Sequence, residues 1–365
     1  MTKRIPWWQP QITPVEYKLV KKVLDSNYIN EGDVTTEFEQ RIASLLKVKY
    51  TIAASSGTAG LFLALAAVGI GGGDEVLVPD VTFIASANAV SLTGATPILI
   101  DVNPKTLTVS LQAIKKTINK HTKAIMPVHI SGRSADMDSI LQIAKEYNLF
   151  VIEDAAEGFM SAGNGKYLGT LGDLGCLSFS ANKTITTGQG GMVLTNSYDL
   201  AIKVRKLKDQ GRPMRGTGGD DIHDSVGYNF KLTNLQAAIG LGQLTALKKR
   251  LVRQKRIYEL YKQELDGITG IRLLGFDLKA GEVPLWTDAL VDRRDELVNY
   301  LLKHNIHCRK FWFPIHTQIP YKKVDRYFPH TTSVIPHAVW LPSAFTLTNN
   351  DIHNVCSLIR EFLLS

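Results

Sequence analysis

Short apolar runs alternate with helix-like patterns over much of the chain, and this alternation is the strongest constraint on its fold. Six runs are predicted strands: 76–79, 97–100, 124–128, 149–152, 176–179 and 192–195. Between two of them, apolar residues recur at helical spacing and predict a crossover helix: Met137, Ile140, Leu141, Ala144 and Tyr147. The pattern favours an α/β fold in which a mostly parallel central sheet is flanked by helices.

The length of 365 residues exceeds what one hydrophobic core usually supports. We therefore expect a large domain over 1–245 and a smaller C-terminal α/β domain over 246–365. No apolar run is long enough to span a bilayer, and the first residues lack the apolar centre of a signal peptide, so we expect a cytoplasmic protein with no membrane contact. The three cysteines lie far apart, which argues against a disulfide framework or a zinc cluster, and no metal is expected.

The formal net charge of +8 suits an anionic partner. Helices are predicted over about 232–262, and the densest basic stretch, 248–256, lies on one of them. We interpret it as a solvated helix face rather than a binding patch, and nucleic acid is not an expected partner. The glycine-rich segment 211–227 is predicted to be a long mobile loop near the active site.

A lysine lies in a loop just beyond the predicted strand 176–179. Residues 178–191 read Ser-Phe-Ser-Ala-Asn-Lys-Thr-Ile-Thr-Thr-Gly-Gln-Gly-Gly, which places Lys183 before a glycine-rich turn. Ligands of open α/β sheets bind beyond the carboxyl ends of strands, so this amine could reach one. A single loop lysine is more often solvated, and the neighbouring motifs decide between the two interpretations.

Two further motifs follow the same logic. Gly57, Thr58 and Ala59 precede an apolar helix, whose free N-terminal amides would attract a phosphate. An ordinary serine-capped helix is the alternative. Asp154 follows the strand 149–152, where a buried carboxylate could pair with a cationic ring nitrogen. Its spacing from Glu157 also fits the capping box of a helix, and both interpretations stay open.

Together the three motifs resemble a pyridoxal phosphate (PLP) site, and the chain resembles the DegT-type sugar aminotransferases, a branch of the fold-type I PLP enzymes, over 5–364. The resemblance implies that Lys183 forms the Schiff base with PLP and later moves a proton, and that Asp154 holds the pyridine nitrogen protonated. It also implies further cofactor contacts from Gly57, Thr58, Ala59, Phe83, Glu157 and Ser178. Asn229 would reach the phosphate of a neighbouring subunit, so a homodimer with shared active sites is expected.

The same resemblance implies a nucleotide-diphosphate keto-sugar as substrate, contacted by Arg309, His316 and Tyr321. The expected reaction moves an amino group from L-glutamate, which leaves as 2-oxoglutarate, to C4 of a GDP-linked 4-keto-6-deoxy sugar. A UDP- or dTDP-linked substrate is the first alternative, and a non-catalytic PLP- or nucleotide-sugar-binding protein is an alternative of another class. Ser180 and the region of Trp286 depart from the family pattern and could border the sugar.

Overall fold

The computed structural model describes residues 3–213 and 222–364. Its strands within these ranges are β1 Tyr50–Ala54, β2 Glu75–Pro79, β3 Thr96–Ile100, β4 Thr122–Ile125, β5 Phe150–Asp154, β6 Ala162–Gly163, β7 Lys166–Tyr167, β8 Leu174–Ser178, β9 Gly191–Thr195, β10 Ile271–Leu273, β11 Thr287–Val291, β12 Arg309–Lys310 and β13 Ala338–Leu341. Seven of them form the large sheet, in the order β1-β9-β8-β5-β4-β2-β3. All neighbours in it run parallel except β9, which is antiparallel to both β1 and β8. The predicted mostly parallel sheet is confirmed.

All six predicted strands are present, with shifted ends. The strand predicted over 124–128 ends as a regular strand at Ile125, because Pro127 has no N–H with which to continue the ladder. Val128 nevertheless forms an isolated parallel bridge with Asp154, so the chain stays beside β5. Strand β1 was not predicted; it is one of the two edge strands and leads into the motif at Gly57.

Twelve α-helices lie within the described ranges: α1 Pro14–Asp25, α2 Asp33–Leu46, α3 Gly57–Ala67, α4 Ala85–Leu92, α5 Leu111–Thr117, α6 Met137–Tyr147, α7 Tyr198–Lys208, α8 Asn234–Thr245, α9 Leu247–Leu265, α10 Arg294–Lys303, α11 Pro329–Val334 and α12 Asn349–Leu364. The crossover helix is α6, capped by the Asp136 side chain and ended by Asn148 in the left-handed conformation. Helix α3 is apolar and buried on almost every side, so it is packed in the interior against the large sheet.

A second sheet, here called the small sheet, has the order β10-β11-β13-β12 and is antiparallel throughout. Helices α9, α10 and α12 supply much of its core, and Ile5 from the start of the chain packs into the same cluster. The helices predicted over about 232–262 are α8 and α9, which meet at Ala246. The domain boundary predicted between 245 and 246 falls at this point and stays a prediction.

The basic stretch on α9 is only partly solvated. Lys248 and Lys249 are exposed, but Arg250 is buried and donates hydrogen bonds to the carbonyl oxygens of Gln11 and Thr184. The prediction of a wholly solvated face was therefore wrong at Arg250, because a buried arginine can satisfy several buried carbonyls at once.

Several other sequence predictions concern composition and loops. Cys176 and Cys356 are buried free thiols, as expected of small apolar residues, whereas Cys308 is half-buried. In the described part of the chain, no helix is long and apolar enough to cross a membrane. The central part of the loop predicted over 211–227 lies outside the described residues.

Candidate active site

The carboxyl ends of β1, β5 and β8 meet at one edge of the large sheet, and a cavity of about 350 Å³ lies there. This volume is within the range of about 300–1,000 Å³ that is usual for ligand sites. Eight of the residues singled out from the sequence line it: Gly57, Thr58, Phe83, Asp154, Glu157, Ser178, Lys183 and Arg309. Ser180, at which the chain departs from the family pattern, lines it too.

Lys183 reaches into this cavity from a tight turn that closes with a hydrogen bond from its own N–H to the Ser180 carbonyl. Its Nζ lies 3.2 Å from Glu157 Oε1, and its side chain is only 11% exposed. The amine also lies 5.1 Å from the centre of the Trp286 ring. A lysine held by a buried carboxylate and an aromatic ring is not a free surface lysine, so the solvated interpretation is wrong.

Glu157 is buried between two donors. Its Oε2 accepts the N–H of Ser131 at 2.7 Å, while Oε1 faces Lys183. Burial raises the pKa of Glu157 above its ordinary value, although the nearby Lys183 ammonium and the Ser131 amide oppose this shift. A carboxyl group with a raised pKa beside an amine can exchange a proton with it, which suits acid–base chemistry.

Asp154 ends β5 and is fixed by two hydrogen bonds. The Ser86 hydroxyl donates to Oδ2 at 2.7 Å, and the Ala156 N–H donates to Oδ1 at 3.1 Å. The residues immediately after Asp154, 155–160, form turns and no helix, so the capping-box alternative for Asp154 and Glu157 is wrong. The carboxylate is thus oriented at the cavity wall with its position set by α4 as well as by β5.

The start of α3 forms the opposite part of the cavity. Ser56 is the N-cap, and its hydroxyl accepts the N–H of Ala59. The amides of Gly57 and Thr58 have no hydrogen-bond partner within the described residues, so they are available to an anion. Of the three amides predicted to bind phosphate, only those of Gly57 and Thr58 are free, because the Ala59 N–H already donates to the Ser56 hydroxyl.

Ser178 lies directly against this helix start. A Cβ built on Gly57 would approach the Ser178 Cβ to 3.0 Å and its Oγ to 3.3 Å, so a glycine at this point allows close contact. On the other side, a Cβ on Gly191 would lie 2.3 Å from the Ser56 carbonyl oxygen. Close backbone packing of β8, β9 and α3 therefore brings the hydroxyl and the free amides to one point.

Aromatic side chains surround the remaining wall. Phe83 lines the cavity and is 53% exposed, which is unusual for a large apolar side chain. The centres of the Phe83 and Trp312 rings lie 6.1 Å apart. Arg309 lies at the cavity with its guanidinium 4.9 Å from the Trp7 ring and 5.6 Å from the Trp340 ring. An exposed ring and a stacked cation are typical of ligand contacts rather than of core packing.

Four predicted site residues are not among those that line the cavity: Ala59, Asn229, His316 and Tyr321. Asn229 is exposed and forms an isolated bridge with Asp209. In a single chain it lies outside the cavity, so its predicted role across a subunit interface stays a prediction.

His316 is buried and its polar atoms are already paired. Its Nδ1 lies 2.6 Å from Asp80 Oδ2 and its Nε2 lies 3.2 Å from Asp325, while its ring stacks on Phe328. Tyr321 donates its hydroxyl hydrogen to Asn88 at 2.8 Å. These contacts join the segment 315–328 to Asp80, just after β2, and to Asn88 on α4, so the single chain does not present either side chain to a sugar at this cavity.

Other residues that build the site were not predicted. Thr82, Asn182, Gln189 and Trp312 line the cavity, and Ser86 anchors Asp154. Ser86 lies only three residues after Phe83, so a search around that predicted residue could have found it. Ser131, which holds Glu157, had no such local signal.

The residues present fit PLP in three respects. Two free amides and a serine hydroxyl suit its phosphate, a fixed carboxylate suits its pyridine nitrogen, and the lysine amine suits its aldehyde. The exposed face of Phe83 offers a surface for the ring. All of these groups line one cavity.

A larger cavity of about 680 Å³ lies elsewhere in the molecule and contains none of these groups. Its lining includes four lysines and no carboxylate: Lys47, Lys166, Lys248 and Lys255. Volume alone would favour it, but the convergent polar groups mark the smaller cavity as the reactive one.

The fold and this cavity are those of a PLP-dependent aminotransferase. Over residues 10–360 the chain matches the DegT/DnrJ/EryC1/StrS aminotransferase family, and it belongs to that family. It is 39% identical over 365 residues to the GDP-perosamine synthase of Escherichia coli O157:H7, covering 99% of each chain. It is 36% identical to the GDP-perosamine synthase of Vibrio cholerae, with 98% of this chain and 99% of that one covered. The solved structure of DesV from S. venezuelae superposes with a TM-score of 0.95 at 28% identity and covers 100% of both chains.

Proposed function

We propose that this protein transfers an amino group from L-glutamate to C4 of a GDP-linked 4-keto-6-deoxy sugar, with PLP as its cofactor. The observation that carries the proposal is the contact between the Lys183 amine and buried Glu157 in a cavity that also holds Asp154. Relatives named GDP-perosamine synthase, similar over nearly the whole chain, support the choice of nucleotide and sugar.

Each residue of the cavity has a role in this proposal. Bound PLP would supply an electron sink for the negative charge that develops at the reacting carbon. Lys183 would hold the cofactor and move the proton, with Glu157 as its acidic partner. Asp154 would keep the ring nitrogen protonated, while Gly57, Thr58 and Ser178 would hold the phosphate; these assignments rest on where the groups lie along the cavity.

Arg309 is the residue best placed to meet the nucleotide sugar. It lines the cavity and is exposed, so its guanidinium is open to a diphosphate that approaches from solvent. Burial of part of the side chain lowers the pKa of Arg309, and Glu157 opposes that shift. Binding energy from the nucleotide can orient the ketone, which is how a remote contact serves the reaction.

The homodimer with shared active sites and the cytoplasmic location predicted from the sequence remain part of this proposal. Asn229 is exposed, which leaves it available to a second subunit. A measurement of molar mass in solution with and without PLP tests the dimer directly.

The test of function is a two-stage absorbance experiment. PLP-loaded protein is treated with glutamate, which should convert the cofactor to its amine form, and is then given GDP-, UDP- or dTDP-linked 4-keto-6-deoxy sugars in turn. Return of the original spectrum with the GDP-linked sugar supports the proposal. If the spectrum returns only with a UDP- or dTDP-linked sugar, that nucleotide is the substrate instead of GDP. No spectral response to glutamate overturns it.

A matched pair of lysine variants separates catalysis from binding. Lys183→Ala should abolish both half-reactions while the protein keeps its fold. Lys310→Ala removes an exposed lysine next to Arg309 that pairs with Asp295, and it should keep both. If Lys183→Ala still transfers the amino group, Lys183 is not the nucleophile. That result would not support the alternative of a protein that only binds PLP, because the variant would still be an enzyme.

A further inference from the structure

Ser131 holds a backbone conformation that non-glycine residues rarely adopt. Its φ is 54° and its ψ is 17°, inside a short turn over Ile130–Gly132. Serine in this left-handed region is strained, and such residues persist only where neighbouring contacts over-determine them. Gly132, with φ of +91°, follows directly, and a Cβ on it would lie 2.1 Å from the Val283 carbonyl oxygen. The turn is therefore pressed against the segment that leads into the small sheet.

Three hydrogen bonds fix Ser131 to that part of the molecule. Its carbonyl accepts the Leu285 N–H at 2.8 Å, and its hydroxyl donates to Asp288 Oδ1 at 2.8 Å. The indole N–H of Trp340 donates to the same hydroxyl at 3.3 Å. Since Asp288 is on β11 and Trp340 on β13, the small sheet sets where the Ser131 amide points.

Asp288 is itself immobilised. It is fully buried, and its Oδ2 accepts a hydrogen bond from Arg133 Nη2 at 2.9 Å. Arg133 is buried as well and also donates to the carbonyl oxygens of Gly275 and Thr106. A buried ion pair with its remaining donors satisfied is a rigid support, because any displacement would leave a charge unpaired.

We propose that Ser131 and Asp288 are positioning residues for the reaction: they hold the amide that fixes Glu157 beside Lys183. The chain of contacts runs from Asp288 to the Ser131 hydroxyl, from the Ser131 N–H to Glu157 Oε2, and from Glu157 Oε1 to Lys183 Nζ. This inference rests on the proposed function, since it assigns a role around the same lysine. It means that the small sheet tunes the acid–base partner of the catalytic amine.

The charged groups that face Glu157 are Lys183, Asp154 and Arg309. Of these, only Lys183 is hydrogen-bonded to it, and the Ser131 amide is the other direct donor. When the Ser131 amide is no longer held in place, the carboxylate loses a donor that favours its charged form. It then supports a neighbouring positive charge less well.

The test uses Ser131→Ala in PLP-loaded protein. The absorbance of the bound cofactor is titrated with pH, and the midpoint should fall by about half to one pH unit, the size expected for one weakened hydrogen bond. The kcat should fall, while the KM for the sugar should change little, because the nucleotide contacts are untouched. Ser131→Gly, which tolerates the positive φ, removes the hydroxyl without backbone strain and should shift the midpoint in the same direction.

The matched control is Ser343→Ala. Ser343 is also buried, and its hydroxyl accepts the N–H of Thr287, the neighbour of Asp288 on β11, and donates to the Leu341 carbonyl rather than to a group that holds Ser131. This variant should lose thermal stability and keep the wild-type midpoint. An unchanged midpoint in both Ser131 variants, or an equal shift in Ser343→Ala, overturns the inference. Wild-type protein that fails to respond to glutamate would instead overturn the proposed function.

Discussion

The contact between Ser178 and the start of α3 gives the most direct test of how the cofactor is held. If the phosphate of PLP lies at the free amides of Gly57 and Thr58, the Ser178 hydroxyl is within reach of the same anion, because a Cβ on Gly57 would lie only 3.3 Å from it. Ser178→Ala removes that donor and adds no bulk. The variant should therefore bind PLP more weakly and keep its fold.

The size of the loss follows from the charge of the ligand. A hydrogen bond to a charged group contributes about 1.5–3 kcal/mol, which corresponds to a Kd that is higher by about 10- to 150-fold. The assay is equilibrium binding of PLP to cofactor-free protein, and the quenching of protein fluorescence measures the bound fraction. The melting temperature of the cofactor-free variant, measured in parallel, should stay close to that of the wild type.

Ser180→Ala is the control for this prediction. Ser180 lines the same cavity, and its hydroxyl lies 3.2 Å from that of Ser178, but its partner on the other side is Asn182 rather than the helix start. It should change the Kd by much less. A wild-type Kd in Ser178→Ala, or an equal loss in Ser180→Ala, would show that the phosphate is not held at this point.

Three other predictions concern the stability of the cofactor-free protein, read as melting temperature. Burial raises the pKa of Glu157 in the folded protein. The contribution of Glu157 to stability is therefore present below the ordinary glutamate pKa and is lost as the pH rises through the folded-state pKa. Glu157→Gln should flatten this decline in melting temperature, and parallel pH profiles of the variant and the wild type would contradict the prediction. Arg133→Met should cost about 3–5 kcal/mol by leaving the buried Asp288 carboxylate without its cation, and adding Asp288→Leu should restore most of the loss; a double variant no more stable than Arg133→Met would contradict this. Gly60→Ala would place a Cβ 2.6 Å from Cys176 Sγ and should cost about 1–3 kcal/mol, which Cys176→Ala should relieve if overpacking is the cause.

Local sequence patterns were sufficient to predict most of the large sheet and the centre of the site. The strands of a parallel sheet are continuous apolar runs, and Asp154 and Lys183 come shortly after two such runs, so both are expected at the carboxyl edge of the sheet. Gly57 follows β1, which was not predicted, and its place at the same edge is known only from the structure. The capping-box alternative at Asp154 could not be dismissed from spacing, because only tertiary structure shows that no helix follows.

The parts that were missed depend on contacts between distant segments. Ser131 and Asp288 are 157 positions apart, and neither lies in a pattern that predicts the other. His316 stood in a segment rich in aromatic and polar residues, but its orientation toward Asp80 depends on how that segment packs against β2. A charge run predicts a solvated face on average, yet it does not reveal that Arg250 points inward to pair with backbone carbonyls.

The aromatic wall of the cavity also gives the protein an intrinsic optical probe. The chain has five tryptophans, and four of them form one cluster in which neighbouring rings lie 4.7 to 6.3 Å apart: Trp7, Trp286, Trp312 and Trp340. The fifth, Trp8, donates its indole N–H to the Ala181 carbonyl, two residues before Lys183. The tryptophan emission of the unlabelled protein therefore comes from the junction between the reactive lysine and the small sheet, so it should follow events at that junction in real time.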